Sequence, residues 1–158
     1  MMRPRRLAGL LLLVGLRLGC ARGGAGHSDL VERALSPDAE TRRAALAELG
    51  RAPRPEAVEA LLRALDDDDP RVAIRAAEAL AAAREPRAVP RLIEMTRELP
   101  AASAARVVEA IGRIGGPEAE AYLFVLETGS PEEEVRRMAA KYRAHETPVR
   151  AASAGGDG

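Results

Sequence analysis

Small and aliphatic residues return along this chain at helical spacing, and the same pattern returns after a fixed interval. Thr41–Gly50 reads Thr-Arg-Arg-Ala-Ala-Leu-Ala-Glu-Leu-Gly, Val72–Ala81 reads Val-Ala-Ile-Arg-Ala-Ala-Glu-Ala-Leu-Ala, and Ser103–Gly112 reads Ser-Ala-Ala-Arg-Val-Val-Glu-Ala-Ile-Gly. Within each segment the stripe falls at i, i+4 and i+8, as in Val72, Ala76 and Leu80 or Ser103, Val107 and Ile111, which is one face of an α-helix. A weaker fourth copy runs over Val135–Arg143. Matching positions at 45, 76, 107 and 139 set steps of 31, 31 and 32 residues. Between these segments lie other apolar clusters, Leu61/Leu62 with Leu65 and Leu92/Ile93, which predict a second helix in every unit. No segment carries a strand signal.

The prolines give the same period independently. Pro55, Pro86, Pro117 and Pro148 stand 31 residues apart, and Pro37, Pro70, Pro100 and Pro131 follow at steps of 33, 30 and 31. Proline suits the first helical position and not a helix interior, so two interleaved series imply two helix starts per unit. Ser36-Pro37, Asp69-Pro70 and Ser130-Pro131 each predict an N-cap before a first-turn proline, and Ser130 with Glu133 has capping-box spacing. Gly115-Gly116 before Pro117 predicts a helix stop. A helical hairpin cannot bury its apolar surface alone, and stacking on its neighbours does so. The expected fold is an all-α solenoid of about four helical hairpins. Its repeats fall at 28–54, 55–85, 86–116 and 117–145, with a frayed polar tail over 146–158.

Repeats of this length, with an Arg-rich, Ala-Ala, Glu-Ala-Leu-Gly second helix and a Pro-Glu-Ala start to the next, resemble HEAT repeats. They are most similar to the short bacterial kind also found in bilin-lyase-like proteins. The resemblance weakens in the fourth unit, where Arg143 stands at the aliphatic position, as expected of a terminal repeat with one face in water. Tyr122, Phe124 and Tyr142, the three aromatic residues of the chain, all fall in that unit and are expected to close the end of the core.

The N-terminal segment has a different character. Basic residues at Arg3, Arg5 and Arg6 precede ten uncharged residues, Leu7–Leu16, and Arg17 ends the run. Ten helical residues span roughly 15 Å, about half a bilayer core. The segment therefore reads as an export signal over 1–20, with a linker over 21–27. The single cysteine, Cys20, follows at Leu18-Gly19-Cys20. This resembles a lipoprotein signal, in which such a cysteine becomes the lipid-modified first residue, although Arg17 and Leu18 depart from that pattern. Ordinary cleavage after Ala21 is the alternative. The expected location is the cell envelope, lipid-anchored on its periplasmic side, or else secreted and soluble.

Composition narrows the chemistry. The 158 residues carry 24 basic and 24 acidic side chains, but five of the basic ones precede Gly23, so the chain from there on is net acidic by five. With 2% aromatic residues and no Trp, stacking platforms and a basic nucleic-acid surface are both disfavoured. One Cys and two His exclude a disulfide framework and an ordinary zinc site. Asp66–Asp69 lacks calcium-loop spacing and reads as a helix cap. His27 and His145 read as solvent-exposed bystanders, and no nucleophile elbow is present.

The remaining candidate is a charged strip. Arg75 and Glu78 recur as Arg106 and Glu109, each pair spaced for an i, i+3 ion pair, with Arg113 further along. Second helices of HEAT-like solenoids line the concave surface, so the resemblance implies a ladder of Arg43, Arg75, Glu78, Arg106, Glu109, Arg113, Arg137 and Lys141 facing a partner. The function expected is a non-catalytic protein-binding scaffold with no cofactor, metal or nucleic acid. A bilin-lyase-like or other enzyme-associated role is the alternative, and nucleic-acid binding a weaker one.

Overall fold

The computed structural model describes the backbone of residues 26–153 and the side chains of 26–144. The expected signal segment, Cys20 and most of the linker lie outside the described residues. Eight α-helices follow one another: α1 (His27–Arg33), α2 (Ala39–Leu49), α3 (Pro55–Arg63), α4 (Pro70–Ala83), α5 (Val89–Glu98), α6 (Ala101–Ile114), α7 (Pro117–Gly129) and α8 (Glu133–Ser153). Short 3-10 turns at Ala64–Asp66 and Pro86–Ala88 complete the second and third pairs. No strand occurs among the described residues.

The helices form two layers. Each odd-numbered helix packs on the even-numbered helix that follows it, and the even-numbered helices pack in series, α2 on α4, α4 on α6 and α6 on α8. The fold is an all-α solenoid whose spine is the row of second helices. α4, at the centre of that row, buries Val72, Ala73, Ile74, Ala76, Ala77, Ala79, Leu80 and Ala81. A helix apolar on so many sides must be covered on several, and α2, α3 and α6 supply the cover. Leu46, Leu49, Leu61, Leu65, Leu80, Leu92, Val107, Val108, Ile111 and Leu123 are fully buried, and no polar or charged residue among the described ones is. Each such leucine contributes about 1.5–3 kcal/mol by leaving water, so the core rests on aliphatic burial.

The helix starts differ from expectation in two places. α2 is capped by Asp38, whose carboxylate accepts from the Thr41 amide at 2.7 Å and the Thr41 hydroxyl at 2.6 Å. Ser36 sits two residues earlier and takes the Asp38 amide in a turn. The same shift occurs at Ser130, whose hydroxyl accepts from the Glu132 amide and not from Glu133. In both turns an arginine six residues on explains the arrangement. Arg42 donates to the carbonyls of Ser36 and Pro37, and Arg136 to those of Ser130 and Pro131. Asp69 caps α4 before Pro70, and Gly115 and Gly116, at φ 73° and 94°, end α6.

The last pair brings two further differences. α8 passes through Pro148 and ends at Ser153, beyond the point where a tail was expected. Phe124 does not close the core: it is 52% exposed, beside Val125 at 59%. Tyr122–Leu126 is five consecutive apolar residues, and a helix turned to bury Ala119 and Leu123 leaves Phe124 and Val125 outside. At the spacing of the repeat, Phe124 takes the place of Leu62 and Ile93, both partly buried against the core. Arg143 covers its ring instead, 4.7 Å from the centroid, and pairs with Glu127.

Candidate functional site

The second helices leave a groove along their exposed side. One part, of about 340 Å³, lies among Ala47, Gly50 and Arg51 of the α2 end, Arg75, Glu78 and Ala82 of α4, and Arg106, Glu109 and Arg113 of α6. An adjoining part, of about 490 Å³, adds Arg43 and Arg71 and shares Arg75, Glu78 and Arg106. The floor is largely alanine and the rims are arginine. Small residues follow from how close the helices must come. A Cβ on Gly50 would lie 2.6 Å from the Ala79 Cβ, so α2 and α4 meet only because position 50 is glycine.

Six of the eight ladder residues expected from sequence line this groove: Arg43, Arg75, Glu78, Arg106, Glu109 and Arg113. Their pairing differs from the expected one. Glu78 accepts from Arg75 of its own helix at 2.8 Å and from Arg106 of the next repeat at 2.5 Å. Arg106 is thereby drawn back across the repeat boundary, away from Glu109. Glu109 instead accepts from the Tyr142 hydroxyl of α8 at 3.2 Å. Burial pushes the Glu78 carboxyl up, but the hydrogen bonds from Arg106 and Arg75 outweigh it and hold it below its ordinary range. Burial, and then the charge of Glu109, push the Tyr142 phenol up. Arg113 makes no hydrogen bond or ion pair with the described residues.

Arg137 and Lys141 are not among the groove-lining residues. Arg137 is exposed and reaches back to Glu133 at 3.6 Å, while the Lys141 ammonium lies over the Tyr142 ring, 5.2 Å from its centroid. Sequence reasoning missed Arg51 and Arg71 as lining residues. The signal for Arg51 was available, since it stands one repeat-length multiple, 62 residues, before Arg113.

The aspartate run serves the repeat boundaries as well as the cap. Asp67 takes Arg42 of the first repeat at 2.7 Å, Asp66 takes Arg91 of the third at 2.6 Å, and Asp69 accepts from the Arg71 amide. No group of side chains suited to hold a metal ion occurs among the described residues. His27 differs from expectation: it is half-buried at the start of α1, with Nε2 lacking a partner among the described residues. The side chain of His145 lies outside the described residues.

Residues 28–104 match the family model of HEAT repeats. This match supports a HEAT-like repeat family for the chain. The HEAT-matched span takes in α1–α5 and the first turn of α6, and so the floor of the groove on α2 and α4. The pair α7–α8, with its exposed Phe124, lies beyond it. No curated protein matches the chain. No helix among the described residues is long and apolar enough to cross a membrane.

Proposed function

We propose that this chain is a non-catalytic scaffold that presents the α2–α4–α6 groove to another protein, and that it does so at the cell envelope, exported and anchored through Cys20. The observation that carries the binding role is a single arginine-rimmed groove continuous over three repeats. Such arrays build an extended face from many modest contacts and need no enclosed pocket. The lining groups favour holding over chemistry: guanidiniums stay charged, and Glu78 is kept ionised between two of them. The envelope location rests on the basic start, the ten-residue apolar run and Cys20 behind it.

A photo-cross-linking residue at Ala82, exposed in the groove, tests the binding role against one at Glu56 on the first-helix layer. A reproducible protein adduct from position 82 and none from 56 is expected. Equal labelling at both positions, or none at 82, overturns it. Intact mass and detergent partitioning of the chain beside Cys20→Ser test the anchor. A mass increase by acyl chains, lost with the serine, is expected; water-soluble protein of the same mass in both removes it.

A further inference from the structure

The groove differs in charge from the molecule around it. Its walls hold six arginines, Arg43, Arg51, Arg71, Arg75, Arg106 and Arg113, against two glutamates, Glu78 and Glu109. Arg43, Arg51 and Arg71 are paired at its edges with Glu40, Glu48 and Asp69, which leaves a local net of +1. The chain from Gly23 onward is net acidic by five. Guanidiniums are therefore gathered along this concave strip in a chain that is acidic from Gly23 onward. Glu78 alone answers both Arg75 and Arg106, and Arg113 has no partner among the described residues, so guanidinium donors are left over.

We propose, resting on the scaffold reading above, that the groove takes an extended acidic segment of its protein partner. The alanine floor at Ala47, Ala79 and Ala110 admits a backbone at close approach, and the rims place guanidiniums on either side of it. On one side stand Arg43, Arg75 and Arg106; on the other, Arg51 and Arg113. Stacked helices lie about 8–10 Å apart, so the three span about 20 Å, the length of roughly six extended residues. Planar guanidiniums bind carboxylates through paired hydrogen bonds. The ion pairs now on Arg43, Arg51, Arg75 and Arg106 are exposed or half-exposed ones that exchange at little cost for an incoming carboxylate.

The two glutamates decide between anionic polymers. A peptide offers amide N–H groups that Glu78 and Glu109 can accept. A nucleic-acid backbone offers phosphates, which they repel, and the groove has no aromatic residue on which a base would stack. The occupant is a peptide.

Fluorescence anisotropy of the full chain with a labelled octapeptide of alternating aspartate and alanine tests this, beside the same peptide with asparagine. The aspartate peptide binds about tenfold or more tightly than its neutral twin, and the difference shrinks as salt rises. Arg113→Glu leaves thermal unfolding unchanged and removes most of that preference. Glu78→Gln strengthens binding, an effect that loss of a merely structural ion pair does not produce. Equal binding of the two peptides, an undiminished preference in Arg113→Glu, or a labelled oligothymidylate bound in place of the peptide overturns the proposal. If neither peptide binds while the Ala82 cross-link persists, the acidic ligand is wrong and the scaffold stands. If both fail, both fall.

Discussion

Arg42 fastens the first repeat to the second by grasping Asp67 with both arms, Nε and Nη2 each 2.7 Å from a carboxylate oxygen. Its remaining Nη1 holds the Ser36 and Pro37 carbonyls of its own turn. One side chain thus sets the shape of a turn and the register of a junction. The two partners are only 17% and 12% exposed, which separates this pair from the surface ion pairs elsewhere. Burial pushes the Asp67 carboxyl up, yet the Arg42 hydrogen bonds and the Asp69 amide hold it below its ordinary value.

Removing either partner leaves a half-buried charge unanswered. Asp67→Ala and Arg42→Ala are each expected to destabilise the fold by about 1–3 kcal/mol. The double variant should cost less than the sum, because both remove the same bonds. Urea unfolding of the four proteins measures this; strict additivity would show that the bonds do not couple the repeats.

Acid should unfasten the caps. The hydrogen bond from the Arg71 side chain, then that from its amide, lowers the Asp69 carboxyl from 3.8 to about 2. A carboxylate depressed in the folded state contributes stability above its unfolded value, and that contribution is lost as pH falls through the folded one. Asp38 and Glu85 shift in the same direction. Melting temperature should therefore fall between about pH 4 and pH 2. Asp69→Asn, which keeps a good cap, should differ from the natural chain most at neutral pH and least near pH 2. A gap that widens toward pH 2 contradicts the assignment.

At Gly112 the prediction changes sign with the background. A Cβ there would lie 2.2 Å from the Tyr142 ring, so Gly112→Ala should destabilise by about 1–3 kcal/mol through overpacking of α6 on α8. Once Tyr142→Gly has removed the ring and also its Cβ, which would itself lie 2.6 Å away, the same change places alanine in an open helix interior and should stabilise by up to about 1 kcal/mol. Thermal melts of the two pairs decide it. Destabilisation in both backgrounds would mean that the obstacle is not Tyr142.

Arg84 ends α4 at φ 50°, a left-handed conformation that a side chain resists. One repeat later the equivalent residue is Gly115, at φ 73°. Arg84→Gly should therefore raise stability by about 0.5–1 kcal/mol, against the usual direction for glycine. A lower melting temperature in that variant would assign Arg84 a stabilising role the fold does not display.

The layout of the helices was legible because proline and alanine obey local rules. Pro55, Pro70 and Pro117 each stand at the start of a helix, and the i, i+4, i+8 stripe marked the buried faces of α4 and α6. Local rules gave the ladder too, since repetition puts equivalent residues on one face. They did not give its partners. Arg106 satisfies either Glu109, three residues on, or Glu78, 28 residues back, and only the stacking distance between α4 and α6 selects the second. In a chain where 23 of 24 basic residues are arginine, Arg42 and Asp67 were one of many permissible pairs. Ser36 misled for a related reason: Asp38, two residues later, is an equally good cap, and Arg42 settles the choice by occupying the carbonyls of the Ser-Pro turn. Phe124 misled because an unbroken run from Tyr122 to Leu126 has no period to say which side faces inward.

The second repeat supplies carboxylates at both of its junctions, and only Arg71, which reaches Glu40 of the first repeat at 3.6 Å, runs the other way among these pairs. It receives Arg42 on Asp67 from one side, and Arg87 on Glu59, Arg91 on Asp66 and Arg106 on Glu78 from the other. A tandem copy inserted after it would set Glu56, 31 residues before Arg87, against Glu59, and Ala73, the counterpart of Arg42, against Asp67. Like would meet like at one contact and a carboxylate would lose its guanidinium at another. The units are therefore not interchangeable bricks. Their order is encoded in charge, and the array resists growth by simple duplication at its centre.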